Sequence, residues 1–174
     1  MTKSNLILLL LTFLCTACGG AVSSLSVTKQ AAASVQTAKT AASNFEVKVM
    51  KNGTELASYQ QIGARGASAL FDGKAVLLLL ASPDNKHVLT IDLQGAKAGD
   101  YPLAMQYEPA KPGEARLNFM TEGPPALIPA TGVVKLDEFN ENYCSGSFTS
   151  TGTDIKGAPF SIEGKFSKLV VKKN

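Results

Sequence analysis

The sequence predicts an all-β domain, an antiparallel β-sandwich or flattened barrel of about nine or ten strands, carried behind an export segment and a linker. Three observations predict it. From Phe45 onward apolar residues recur with period two, as in Phe45, Val47 and Val49 and again in His87, Leu89, Ile91 and Leu93, the spacing that puts side chains on one face of a strand. Turn residues separate these runs at short intervals, among them Asn52-Gly53, Asp72-Gly73, Ser82-Pro83-Asp84-Asn85 and Asn140-Glu141-Asn142. Finally, no secure helical period appears beyond Asn44, so short strands joined by tight turns are the economical reading.

Residues 1–17 read as an export signal. Met1 to Asn5 is polar with one cation, Leu6 to Leu14 is apolar except for Thr12, and Thr16-Ala17 is a small pair. These are the three regions of a secretory signal. The apolar run ends at Gly19-Gly20, short of the roughly 20 apolar residues that a membrane-spanning helix needs. The stretch Thr16-Ala17-Cys18-Gly19 resembles the lipobox of bacterial lipoproteins, with Cys15 where that family usually carries Leu. The resemblance implies cleavage between Ala17 and Cys18 and lipidation of Cys18, whose acyl chains hold the mature protein at a membrane. Two or more chains anchor stably where one binds marginally. Gly19 is not the Asp that similar systems use for inner-membrane retention. The expected location is therefore the cell envelope, at the periplasmic face of the outer membrane.

Residues 18–44 form the lipidated end and a linker. Gly19 to Asn44 has no acid and no aromatic residue and consists mostly of Ala, Ser, Thr and Gly, too little apolar surface to hold a packed structure alone. As a coil its 26 residues span about 28 Å. Val27, Ala31, Val35, Ala38 and Ala42 recur at helical spacing, and Ala favours helix, so a weak helix competes with the coil.

The domain, 45–174, opens with a hairpin whose turn is Asn52-Gly53, the strongest short-range hairpin signal; Thr54 to Gln61 is its return strand. Ala67 to Phe71 and Lys74 to Ala81 form a second hairpin. The run Ala75 to Leu80 does not alternate, which predicts a strand covered on both faces. After the Ser82 to Asn85 turn, His87 stands at the rim of an apolar face and is read as structural or solvated. Gly99 to Leu103 opens a strand with Tyr101, Leu103, Met105 and Tyr107 on one side, and Pro102 places its start at an edge. Leu117 and Phe119 mark another strand. Gly123 to Pro129 is expected to be the longest irregular piece, either folding back on the core or touching a partner.

Residues 132–171 predict a three-stranded meander: Gly132 to Asp137, Tyr143 to Ser150, and Phe160 to Val171. A change of parity after Phe166 predicts a bulge near Ser167-Lys168. Cys144 shares parity with Phe148 and is expected to face the core as a small hydrophobe. Ser145 to Phe148, Ile162 to Phe166, Gly99 to Leu103 and Val49 to Thr54 are similar to landmarks of small β-rich envelope lipoproteins of uncharacterised domain families. That resemblance implies a β-rich fold and no activity.

The chemistry of the chain is sparse. Its formal net charge is +3, but cations at the two ends account for it, leaving 12 basic against 14 acidic residues from Phe45 to Val171. Nucleic-acid binders concentrate cations with aromatics on one face, so no nucleic-acid partner is expected. One His and, after lipidation, one free Cys leave no zinc set and no intramolecular disulfide. Asp137, Glu138 and Glu141 cluster at one hairpin without the spacing of a calcium loop. No catalytic, cofactor-binding or metal-binding residue is assigned, and no cofactor is expected. The expected function is that of a non-catalytic, membrane-anchored envelope lipoprotein that binds an unidentified envelope protein or supports an assembly. The alternative is a lipocalin-like carrier enclosing a small apolar ligand among Val76 to Leu80, Leu89, Ile91, Leu103 and Met105.

Overall fold

The structure, a computed structural model, describes residues 42–63, 65–105, 108–122 and 127–173. Cys18, the cleavage position at Ala17 and nearly all of the linker lie outside the described residues. Ten strands follow one another: β1 (Asn44–Lys51), β2 (Thr54–Ile62), β3 (Ala67–Phe71), β4 (Val76–Ala81), β5 (His87–Leu93), β6 (Gly99–Pro102), β7 (Ala115–Thr121), β8 (Leu127–Phe139), β9 (Tyr143–Asp154) and β10 (Pro159–Lys173).

They form one sheet with the path β6-β8-β9-β10-β3-β4-β5-β7, and β1 and β2 are added beside β10. The two ends of the path nearly meet. Leu103, just past β6, bridges Ala115 at the start of β7; its N–H bonds Gly132 of β8 at 3.0 Å while that of Ala104 bonds Ala115 at 2.8 Å. The result is a nearly closed, barrel-like sheet with a long wing (β6, β8, β9, β10, β1, β2) and a short wing (β3, β4, β5, β7).

The join between the wings is the expected bulge. The register of β10 against β9 shifts between Phe166 and Leu169, and Lys168 has φ +53°, a left-handed conformation uncommon for a residue with a Cβ. Four neighbours hold it. The Ser43 hydroxyl donates to its carbonyl at 2.6 Å, the Ser145 hydroxyl accepts its N–H at 3.0 Å, the Glu138 carboxylate takes its ammonium at 2.7 Å, and that ammonium lies 3.6 Å from the Tyr143 ring centroid.

Before the bulge β10 pairs with β1; after it the same edge pairs with β3, in parallel, from Val171 to Lys173. The expected wholly antiparallel sheet is thus corrected at this strand pair, and the closing Leu103–Ala115 bridge is parallel as well. The reason is directional: β2 is antiparallel to β1 and so runs with β10. After Ile62 the chain steps past the start of β1 and continues the same way as β3.

The inward faces make one apolar cluster containing Phe45, Val47, Val49, Leu78, Leu80, Leu89, Ile91, Phe119, Phe148, Ile162 and Phe166. Cys144 is fully buried within it, as its parity predicts. Three further expectations are corrected. β4 alternates: Val76, Leu78 and Leu80 have no exposed surface, whereas Leu77 and Leu79 on the outer side are 39% and 37% exposed. Both faces of this run are apolar in sequence, and the described residues cover only one. The strand opened by Gly99 ends at Pro102, leaving Met105 exposed, and Tyr107 lies outside the described residues. Finally, Leu127 and Pro129 belong to β8 and are buried. Pro129 is accommodated at a register shift against β9, where a missing ladder N–H costs least.

Candidate functional site

One end of the barrel is a cleft of about 810 Å³ built from four connections. Asp72 shapes the β3–β4 turn by accepting the N–H groups of Lys74 and Ala75 at 2.8 and 2.7 Å, which holds its carboxyl below the usual carboxylate range. Asn140 does the same for the β8–β9 turn, accepting from Asn142 and Tyr143 at 2.9 and 3.0 Å. The loop after β5 is tied to the one before β7 by Gln94 N–H to Glu114 at 2.9 Å and Gly113 N–H to Gln94 at 2.8 Å.

These turns bring together aromatic side chains that are far apart in sequence. Phe71 and Phe139 meet edge to face, with centroids 5.1 Å apart and planes at 65°. Buried Tyr101 donates its hydroxyl to the Lys97 carbonyl at 2.7 Å and accepts the Lys97 N–H at 3.0 Å. Gly95 allows this approach, because a Cβ there would lie 2.8 Å from the Tyr101 oxygen. Lys74, Lys97, Asp100 and Glu141 stand around the opening, and Glu141 is engaged by Lys173 at 2.8 Å. The cleft therefore has an aromatic floor, walls of exposed glycine backbone and a charged rim. It suits an apolar side chain flanked by hydrogen-bonding groups.

The residues expected to enclose an interior ligand divide between the core and the outer surface. Val76, Leu78, Leu80, Leu89 and Ile91 have no surface that a water molecule can touch; Leu77, Leu79 and Met105 point outward, and Leu103 packs against the core edge. A second, polar concavity of about 690 Å³ lies on the long wing between Glu46, Lys48, Ser58, Gln60, Ser147, Thr149, Glu163 and Lys165. Its Lys165–Glu46 pair at 3.0 Å and alternating charges are those of a solvated sheet face.

Of the two readings of His87, structural or solvated, its packing supports the first. Its ring stacks between Tyr59 (6.3 Å, 14°) and Phe119 (5.8 Å, 10°), and its buried Nδ1 has no hydrogen-bond partner among the described residues. The acidic cluster is dispersed onto lysines: Asp137 pairs with Lys135 at 3.0 Å, Glu138 with Lys168 and Glu141 with Lys173. Among the described residues no three His, Cys, Asp or Glu side chains stand close enough to share a metal ion. Burial pushes the Cys144 thiol up to about 12, the opposite of what a nucleophile needs.

Sequence reasoning missed the cleft. Its floor comes from three separate turns, and the only local hint is the small-residue run Gly95-Ala96-Lys97-Ala98-Gly99. No family model matches the chain, and it has no significant match among the curated proteins or the solved structures.

Proposed function

We propose that the protein is a non-catalytic lipoprotein of the bacterial cell envelope, tethered through acylated Cys18 to the periplasmic face of the outer membrane. Its barrel binds another envelope protein at the cleft between Phe71, Phe139 and Tyr101. The cleft is the observation that carries this reading. It is open, aromatic at its floor and bordered by backbone hydrogen-bonding groups. Such a site recognises an apolar side chain presented by a chain segment, with the rim charges supplying selectivity.

A photoreactive residue at Ala96, beside the cleft, is expected to capture the same partner repeatedly in intact cells, whereas one at Thr149 on the long wing captures none. Repeated absence of a defined product at Ala96 counts against the binding reading. The anchor is checked separately by mass spectrometry of the mature N-terminus; an unacylated Cys18, or a different first residue, removes the lipoprotein assignment. The carrier alternative draws on the barrel mouth as well, where clefts of this kind also take small ligands. An apolar fluorescent probe displaced by Phe139→Asp, with no protein captured at Ala96, would favour it.

A further inference from the structure

The charges around the cleft do not balance one another. Glu141 is engaged by Lys173 at 2.8 Å, and Asp100 stands opposite Lys135 where β6 pairs with β8. Lys74 and Lys97 line the same opening. Neither forms a salt bridge with a carboxylate among the described residues. Lys74 comes from the β3–β4 connection and Lys97 from the β5–β6 connection, so two separate turns bring cations without acidic partners to one cavity.

The β5–β6 connection adds donors of its own. Between Gly95 and Ala98 only the Lys97 N–H has an acceptor among the described residues, the Tyr101 hydroxyl at 3.0 Å. The N–H groups of Gly95, Ala96 and Ala98, residues that all line the cleft, have none there. Backbone N–H and ammonium groups gathered without acceptors favour an anion, and hydrogen bonds to a carboxylate are the stronger, charge-assisted kind. The floor makes no such demand. Phe71 and Phe139 are apolar, and the Tyr101 hydroxyl is already committed to Lys97 as both donor and acceptor.

An internal stretch of chain is neutral along its backbone and would leave both ammonium groups idle. A chain end carries one carboxylate beside one last side chain, which matches a cationic rim over an apolar floor. The volume of about 810 Å³ lies toward the upper end of the roughly 300–1,000 Å³ that takes a drug-sized ligand, enough for several residues. We propose that the cleft receives the free carboxyl terminus of a partner protein whose last residue is apolar. That side chain rests on Phe71 and Phe139, and the carboxylate is held by Lys74, Lys97 and the open N–H groups of the Gly95 to Ala98 connection. The assignment rests on the binding reading of the cleft and narrows it from any apolar segment to a chain end.

The partner captured by a photoreactive residue at Ala96 gives the first test. Mass spectrometry of the crosslinked product is expected to place the attachment within the last few residues of that partner. An internal attachment overturns the proposal and leaves the cleft a binding site, whereas absence of any product removes the binding reading and the proposal with it. The second test uses the mature chain and a labelled hexapeptide ending in Phe, prepared as the free acid and as the C-terminal amide. At low salt the acid is expected to bind at least about tenfold more tightly than the amide. Lys74→Gln with Lys97→Gln should shrink that ratio to about threefold or less, while Lys48→Gln with Lys165→Gln, which removes two cations from the long wing, should leave it in place. Equal binding of acid and amide, or equal shrinkage by the two double variants, overturns the proposal. So does benzoate competing as strongly as the free-acid hexapeptide, which assigns the cleft to a small apolar acid.

Discussion

The two wings share an interior and differ on the outside. On the long wing, the outward positions of β9, β10, β1 and β2 present Ser147 and Thr149, Glu163 and Lys165, Glu46 and Lys48, and Ser58 and Gln60. The matching positions of β3, β4, β5 and β7 include Leu70, Leu77, Leu79, Val88 and Met120. A sheet face that stays in water is normally polar at alternate positions, and the long wing follows that rule over its middle, with Leu56 and Ile62 of β2 and Val170 of β10 as exposed apolar exceptions nearer its edges. The short wing breaks it along one diagonal, where Leu70, Leu77, Leu79 and Met120 are 37–48% exposed. The comparison separates what the barrel needs in order to fold from what it keeps for something outside it.

The largest effects are expected on the shared interior. Phe148→Ala on the long wing should cost about 3–5 kcal/mol and Leu78→Ala on the short wing about 2–5 kcal/mol in denaturant unfolding, through lost burial plus an unfilled cavity. Comparable losses would show that both wings depend on a single core. A loss below about 1 kcal/mol at either site, far under the usual cost of such a truncation, would mean that its wing packs independently. Gly164 belongs to the same interior: a Cβ there would collide with the Glu46 carbonyl and the Phe148 ring. Since the Glu46 carbonyl is backbone, Gly164→Val is expected to abolish folding rather than merely weaken it.

The parts of the fold that were legible are those where one face is apolar and the other is not. Phe45, Val47 and Val49 declare β1 because Glu46 and Lys48 stand between them, and the parity break after Phe166 declares the bulge at Lys168. Ala75 to Leu80 was misread for a physical reason: periodicity reports the polarity of each face and not what covers it, so an uncovered apolar face looks the same as a buried one. β6 ended early because after Leu103, whose N–H still bonds Gly132 of β8, the chain leaves β8 and bonds Ala115 of β7 through Ala104, a tertiary limit without local trace. The cleft depends on Phe71, Tyr101 and Phe139 meeting across three turns, and no spacing rule joins them. Pro129 looked like a breaker because its tolerance rests on a register shift in a partner strand.

A smaller effect separates the outer faces. Thr149→Ala on the long wing should change stability by no more than about 0.5 kcal/mol, the usual range for surface positions. Leu79→Ala on the short wing should cost about 1–2 kcal/mol, since its side chain is only 37% exposed and packs along its neighbours on the sheet. Urea midpoints of the two variants, measured in the mature chain, compare the wings directly. A near-zero cost at Leu79 would place that side chain in water and make the two outer faces energetically alike.

The smallest difference concerns two ion pairs, and pH resolves it. Asp154 meets Lys51 at 2.7 Å with its side chain 1% exposed, whereas Glu46 meets Lys165 at 3.0 Å with 49% exposed. The Asp154 carboxylate also accepts the N–H groups of Lys156 and Ala158, both at 2.8 Å, closing the β9–β10 turn. Lys51 foremost, then these amides, holds its carboxyl below the ordinary value. A depressed folded value stabilises the fold fully above the unfolded pKa, about 3.9 for Asp. That contribution is lost as pH falls from there through the folded value. Asp154→Asn keeps the shape and an acceptor oxygen but has no charge to titrate, so it should flatten the decline of the urea midpoint below about pH 4. Glu46→Gln should move the urea midpoint at neutral pH only slightly, because an exposed pair contributes only about 0–1 kcal/mol. A loss at neutral pH equal to that of Asp154→Asn would mean that enclosure at the end of β9 confers no advantage over the open face of the long wing.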